Sequence, residues 1–224
     1  IDEEPSASTV VVTNPSTLQN DLVDNSFDEE GEYIDLSDDT DDDYLAYYRH
    51  FAQDIATRQA KQIRLTSQTI NQVQIPESLR KPVKDIVIQL VRNAIVHGIE
   101  SPATRELADK STVGNISLEM QSNDENFVIS VEDDGQGIDY QGIRNRLVEL
   151  GRFSNDEALE LGRGELLKQL FSSGFSTKEQ ADEDGGRGVG LDIIKAQVKA
   201  CDGHLNVNSK FGQMTRFVIT LPKA

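Results

Sequence analysis

The sequence predicts an α/β domain, a two-layer sandwich in which helices cover one face of a mixed sheet. Three observations carry this. The hydrophobic period switches repeatedly between two and 3.6 residues along the chain. The elements run strand, long helix, two strands, long insertion, helix, two strands. The most apolar helix, Leu79–His97, sits between strands rather than at an end, so its wide face must pack on a sheet.

The elements follow in order. Residues 1–43 hold 15 acidic residues and no Lys or Arg, and Asp38–Asp43 repels itself. So polar a segment of one sign cannot offset its own ordering entropy, and an acidic flexible linker is expected, broken by apolar islands at Thr9–Thr13 and Tyr33–Leu36. Residues 44–60 follow as a connecting helix, with Tyr44, Tyr48, Phe51, Ile55 and Ala56 at helical spacing. Residues 61–224 form the main domain. Gln62–Ile70 alternates as a half-buried strand, and Pro76 marks a turn. In Leu79–His97, Val83, Ile86, Val87, Leu90, Val91, Ala94 and Ile95 make the apolar face, and Gly98 is expected to cap its end. Asn115–Gln121 and Phe127–Glu132 read as a hairpin across Ser122–Asn126. A long polar stretch with helical pieces spans about residues 140–185. Leu191–Cys201 is a helix, and Gly203–Ser209 and Thr215–Leu221 are strands joined through Gly212.

Charge and composition exclude several classes. The 224 residues carry a formal net charge of −17, but from residue 44 onward 24 acids nearly balance 22 bases. That near-neutral surface argues against duplex DNA, which needs a basic face. No run of 18 apolar residues is present, so no membrane contact is expected. Cys201 is the sole cysteine, which excludes an internal disulfide framework and a multi-Cys metal site, and a reduced, cytoplasmic setting is the simplest expectation. A start at Ile1 with no charged-then-apolar leader suggests no signal peptide and a piece of a longer chain.

Four short segments can carry chemistry. On the long helix, Gln89, Asn93 and His97 lie four apart on one stripe, able to face a hydrated metal and its phosphates; alone, a solvent-facing stripe is the better explanation. In Val131–Ile138 a strand runs into Asp133, followed by Gly135 and Gly137. A carboxylate there can accept from an exocyclic amine such as adenine's, and an acidic turn is the plain alternative. Gly186, Gly188 and Gly190 precede a helix opening at Leu191, whose free N–H groups suit phosphate; a glycine hinge without ligand is the alternative. Gly212-Gln213-Met214-Thr215 enters the last strand and offers a threonine hydroxyl, or is simply a hairpin turn.

Taken together, their order and spacing closely resemble the Bergerat-type (GHKL) ATP-binding domain shared by histidine kinases, gyrase, MutL and the heat-shock chaperones. The local text is most like the chemotaxis-type histidine kinase, through Leu90–Glu100, Val131–Ile138, Phe171–Thr177 and Gly186–Ile194, and the likeness spans roughly residues 50–222. The resemblance implies ATP and Mg²⁺ as ligands. It makes Asn93 and His97 the catalytic pair, with Asn93 on the Mg²⁺ carried by the nucleotide and His97 lining the same phosphate site. It has Asp133 read the adenine amine, Gly135 and Gly137 admit the base to the backbone, and Thr215 sit near the base. Gly186, Gly188 and Gly190, with Leu191 beside them, would surround the phosphates, and Arg92, Arg146 and Lys178 would add phosphate contacts. Residues 142–185 would form a mobile lid anchored by Phe171–Thr177.

The implied activity is transfer of the γ-phosphoryl group to a histidine on another domain or chain, with a response regulator downstream and homodimerisation through an N-terminal helical region left open. Gln89 stands where the hydrolytic members carry Glu and the chemotaxis kinases carry His, and Met214 stands where small residues are usual. These two departures motivate the alternatives: a nucleotide-binding sensor without phosphotransfer, or, disfavoured by Gln89, an ATPase. No acceptor histidine stands out. His50 precedes Phe51 rather than an acid, and His204 falls in a strand.

Overall fold

A computed structural model describes residues 8–11, 44–70, 73–172 and 191–223. Its centre is a six-stranded sheet of β1 (Ser8–Val11), β2 (Gln62–Ser67), β3 (Val113–Ser122), β4 (Asn126–Asp133), β5 (His204–Lys210) and β6 (Met214–Pro222), in the order β1-β2-β3-β4-β6-β5. Among the described strands, only the β2–β3 pair is parallel. A parallel pair needs a crossover, and the chain between β2 and β3 supplies it. That crossover holds helix α2 (Arg80–Asn93), a wider π turn (Ala94–Gly98) and helix α3 (Pro102–Leu107). The mixed sheet and its helical cover match the architecture the sequence predicts.

Alternation explains why the layers face as they do. On β3, Gly114, Ile116, Leu118 and Met120 are buried, while Asn115 and Gln121 are exposed. Successive residues point to opposite faces of a strand, so one face feeds the core. Val83, Ile86, Val87, Leu90 and Val91 of α2 fill that core at helical spacing, all fully buried. α2 packs on β4 and on helix α7 (Leu191–Ala200), and α7 covers β5.

Helix α1 (Tyr44–Arg58) packs on β2, α2 and the π turn. Its buried stripe is Leu45, Tyr48, Ala52, Ile55 and Ala56, with Tyr44 and Phe51 only partly covered. Tyr48, Ile55 and Ala56 are shared with the stripe read in the sequence, and Leu45 and Ala52 are more deeply buried than Tyr44 and Phe51. The small side chain of Ala52 permits close contact, and Tyr44 and Phe51 reach the rim. Strand β1 falls within the acidic segment read as linker and pairs antiparallel with β2, Val10 opposite Leu65. α3 was not legible in the sequence. It is a short helix capped by Ser101, which accepts from the Thr104 N–H, with Pro102 at its first turn.

The insertion expected as a lid has a core of its own. α4 (Tyr140–Glu149), α5 (Asn155–Glu160) and α6 (Arg163–Leu170) enclose Ile143, Leu147 and Leu166, with Ile138, Phe153 and Leu161 around them. Arg144 ties α4 to the carbonyls of Ala158 and Leu161 at 3.1 and 3.0 Å. Ser154 and Glu157 cap α5 reciprocally. Phe171, first residue of the expected anchor, belongs to the main core. Among the described residues, no helix is long and apolar enough to cross a membrane.

Candidate nucleotide site

Asp133 ends β4 and is only 3% exposed. Thr215, also buried, lies directly opposite it on β6. Burial is the dominant influence on the Asp133 carboxyl and pushes its pKa up to about 7. The Gly135 N–H, which donates to Oδ1 at 3.0 Å, pulls the other way, and the neighbouring Asp134 and Glu100 carboxylates add to the upward push. A buried carboxyl with one oxygen accepting from the backbone has its second oxygen available to a ligand.

The loop after Asp133 is stitched to both sides. Gln136 donates from its backbone to the Gly98 carbonyl at 2.9 Å and from its side chain to the His97 carbonyl at 2.6 Å. Its own carbonyl accepts from Gly212 N at 2.7 Å, and Ile138 N donates to the Ser209 hydroxyl at 2.8 Å. The glycines are needed here because chain segments touch. A Cβ on Gly135 would lie 2.1 Å from the Gly98 carbonyl oxygen, and one on Gly98 would lie 2.8 Å from Asp133 Oδ1. Gly137 has φ +68 and lies against the backbone of Lys210 and Phe211.

The expected role of Gly98 needs correcting. It is not a left-handed helix cap, because its φ is not positive. The helix instead widens into the π turn Ala94–Gly98, and Ile99 N closes it onto the Ala94 carbonyl at 2.7 Å. Gly98 is glycine because the Asp133 carboxylate presses on it. Such π turns recur at functional sites. Lys61 holds this one from outside, donating to the carbonyls of Ile95 and Val96 at 2.7 and 3.0 Å.

Asn93 ends α2, one turn before His97. Its amide nitrogen is buried without a hydrogen-bond partner, as is Gln89 Oε1 one turn earlier. An unspent buried amide is costly, and its nitrogen and oxygen exchange by a half turn of the side chain. This leaves Asn93 fit to offer a hard oxygen to Mg²⁺. The His97 side chain is exposed.

The fold thus brings Asp133, Gly135, Gly137, Gly98 and Thr215 together at one end of the sheet, with the π turn against β4 and β6. Other residues expected at the site have these partners. The Arg92 guanidinium stacks over the Phe51 ring at 5.6 Å. Arg146 pairs with Glu149 on its own helix at 3.0 Å. Leu191 opens α7 and packs against the main core. Lys178, Gly186, Gly188 and Gly190 lie outside the described residues.

Sequence reasoning missed an ionic cluster beneath the Asp133 loop. Arg105, 1% exposed, pairs with Glu100 at 2.9 Å and with Asp134 Oδ2 at 3.1 Å, and donates to the Ser111 carbonyl at 2.6 Å. Lys110 pairs with Glu100 at 2.7 Å and donates to the Asp134 and Gly135 carbonyls at 3.0 and 2.7 Å. Burial raises the Glu100 carboxyl, but its hydrogen bonds and the nearby Lys110 charge outweigh that and leave its pKa below the ordinary value. Asp134 is spent on structure, since Asn115 donates to both of its carboxylate oxygens. The only signal in the sequence was the charge pattern of residues 100–110, which looks like any solvated helix.

Comparison with known proteins points the same way as the geometry. Residues 79–224 match the family model described as histidine kinase-, DNA gyrase B-, and HSP90-like ATPase. The chain is 33% identical over 175 residues to "Chemotaxis protein CheA" of Halobacterium salinarum, covering 78% of this chain and 26% of that one. It is 36% identical over 175 residues to the protein of the same description from Klebsiella aerogenes, with the same coverage. It is 31% identical over 172 residues to the "Gliding motility regulatory protein" of Myxococcus xanthus, covering 77% of this chain and 22% of that one. The chain spans about a quarter of the length of these relatives.

Proposed function

The chain belongs to the histidine kinase-, DNA gyrase B-, and HSP90-like ATPase family, and from that premise we propose that it is the ATP-binding catalytic domain of a two-component histidine protein kinase. The observation that carries the nucleotide assignment is the buried Asp133, with one oxygen held by Gly135 and Thr215 beside it. The relatives named chemotaxis protein support the kinase assignment. Asp133 accepts from the exocyclic amine of adenine, and Thr215 contacts the base. Asn93 and His97 hold the magnesium triphosphate, where the metal's charge offsets that of the phosphate oxygens. Lys178 and the glycines 186, 188 and 190 contact the phosphates, and α4–α6 belong to the lid that excludes water.

Catalysis here is mostly positioning. A neutral imidazole nitrogen of the acceptor domain attacks the γ-phosphorus. The bond from that phosphorus to the β,γ-bridging oxygen breaks, ADP leaves with the electron pair, and the imidazole retains or loses its other ring proton to solvent. A response regulator then receives the phosphoryl group. Gln89 favours a second reading, a nucleotide sensor that transfers nothing, because an amide there supplies no acid or base. One assay separates the two: γ-labelled ATP with the native acceptor domain. Label on histidine is the expected result. Tight ATP binding with no label transferred would establish the sensor instead.

A further inference from the structure

The ionic cluster beneath the Asp133 loop ties Arg105 and Lys110 to Glu100 and Asp134. Its cations converge on one peptide group. Lys110 Nζ and Arg105 both donate to the Asp134 carbonyl oxygen, at 3.0 and 3.2 Å. The N–H of that same peptide belongs to Gly135 and donates to Asp133 Oδ1 at 3.0 Å. In a trans peptide the C=O and N–H point in opposite directions. Two cations on the carbonyl therefore both fix the plane and polarise the N–H that grips the carboxylate. Lys110 uses its remaining donors on the Gly135 carbonyl and Glu100 Oε1, so all three of its hydrogens are committed. Arg105 is itself held by Glu100 and Asp134. The groups form a relay: cation, carbonyl, amide, carboxylate.

We propose that Lys110, supported by Arg105, is a positioning residue for purine recognition, acting through the Asp134–Gly135 peptide to aim the Asp133 carboxylate. This rests on the reading of Asp133 as the purine acceptor. On this proposal Lys110 acts through the peptide and not by contact with the nucleotide. It fixes which oxygen of Asp133 is occupied by the backbone and so which one faces the ligand.

The test uses the full chain and calorimetry with two probes, Mg-ATP and Mg-tripolyphosphate, the second lacking the base. Lys110→Met is expected to weaken ATP binding about tenfold and to leave tripolyphosphate binding unchanged, and Lys110→Arg is expected to restore most of the loss. In an Asp133→Asn background, Lys110→Met should cost nothing further, because the group it aims is gone. ATP affinity unchanged in Lys110→Met, parallel loss of both probes, or full additivity with Asp133→Asn would each overturn the proposal. Wild-type ATP affinity in Asp133→Asn alone would overturn the purine assignment itself, a separate and recognisable failure. Should Lys110→Met melt below the assay temperature, Lys110→Gln, which removes the cation but keeps a donor, carries the same comparison with a smaller expected loss of ATP binding and again none of tripolyphosphate binding.

Discussion

Asp133→Asn tests whether a buried carboxyl has been kept for binding at the expense of stability. Without nucleotide, the folded chain holds this carboxyl at a pKa of about 7 against an ordinary value of 3.8. A carboxyl raised in this way binds its proton more tightly when folded. The stability it contributes is fully present below about pH 4 and is lost as pH rises through about 7. At roughly 1.4 kcal/mol for each tenfold change in proton affinity, the ionised site costs on the order of 4 kcal/mol above pH 7. The amide of Asn cannot ionise, so it removes that cost while keeping the shape and an acceptor for Gly135 N–H. The nucleotide-free variant is therefore expected to match wild type near pH 4 and to exceed it increasingly up to pH 8. Urea denaturation of both proteins at pH 4, 5, 6, 7 and 8 measures this, and other titrating groups cancel in the difference. The same variant turns a donor toward the purine amine, so saturating ATP should stabilise it far less than wild type. Parallel stability–pH profiles for the two proteins, or equal stabilisation by ATP, would refute the reasoning.

Three further outcomes are expected. Asn93→Ala should reduce label transfer to the acceptor by about two orders of magnitude while changing adenosine affinity little, which filter assays and calorimetry resolve; equal transfer by both proteins would remove Asn93 from the metal role. Gly98→Ala places a Cβ 2.8 Å from Asp133 Oδ1, so it should weaken ATP binding and lower stability by about 1–3 kcal/mol, read by calorimetry and thermal melts. Leu147→Ala empties the α4–α6 core and should cost about 2–5 kcal/mol locally. Hydrogen exchange should then show α4–α6 deprotected and β3 and β4 unchanged.

Much of the architecture was legible because it rests on local periodicity. β3 and β4 alternate, α2 and the π turn after it carry seven apolar residues at helical spacing, and the turn into β6 is marked by Gly212, whose φ is +77. Asp133 was legible because a strand running into Asp-x-Gly-x-Gly is a short local pattern. What stayed hidden depends on partners distant in sequence. β1 exists through pairing with β2, more than fifty residues away, and its composition alone says linker. α3 is too short for periodicity, and its cap is a single serine. Gly98 looked like a helix stop because the carboxylate that excludes a side chain there lies thirty-five residues on. Arg105 and Lys110 looked solvated because burial and ion pairing are tertiary facts. On α1, Tyr48, Ile55 and Ala56 were legible from helical spacing, while Leu45 and Ala52 take the fully buried places beside Tyr44 and Phe51, a distinction that depends on what packs against the helix.

The most direct measurement is a crystal structure of the chain with Mg²⁺ and a non-hydrolysable ATP analogue. The expected result places the exocyclic amine within hydrogen-bonding distance of Asp133, the base beside Thr215, and Asn93 on the metal. A purine bound away from Asp133, with the carboxyl still buried and unliganded, would contradict the account.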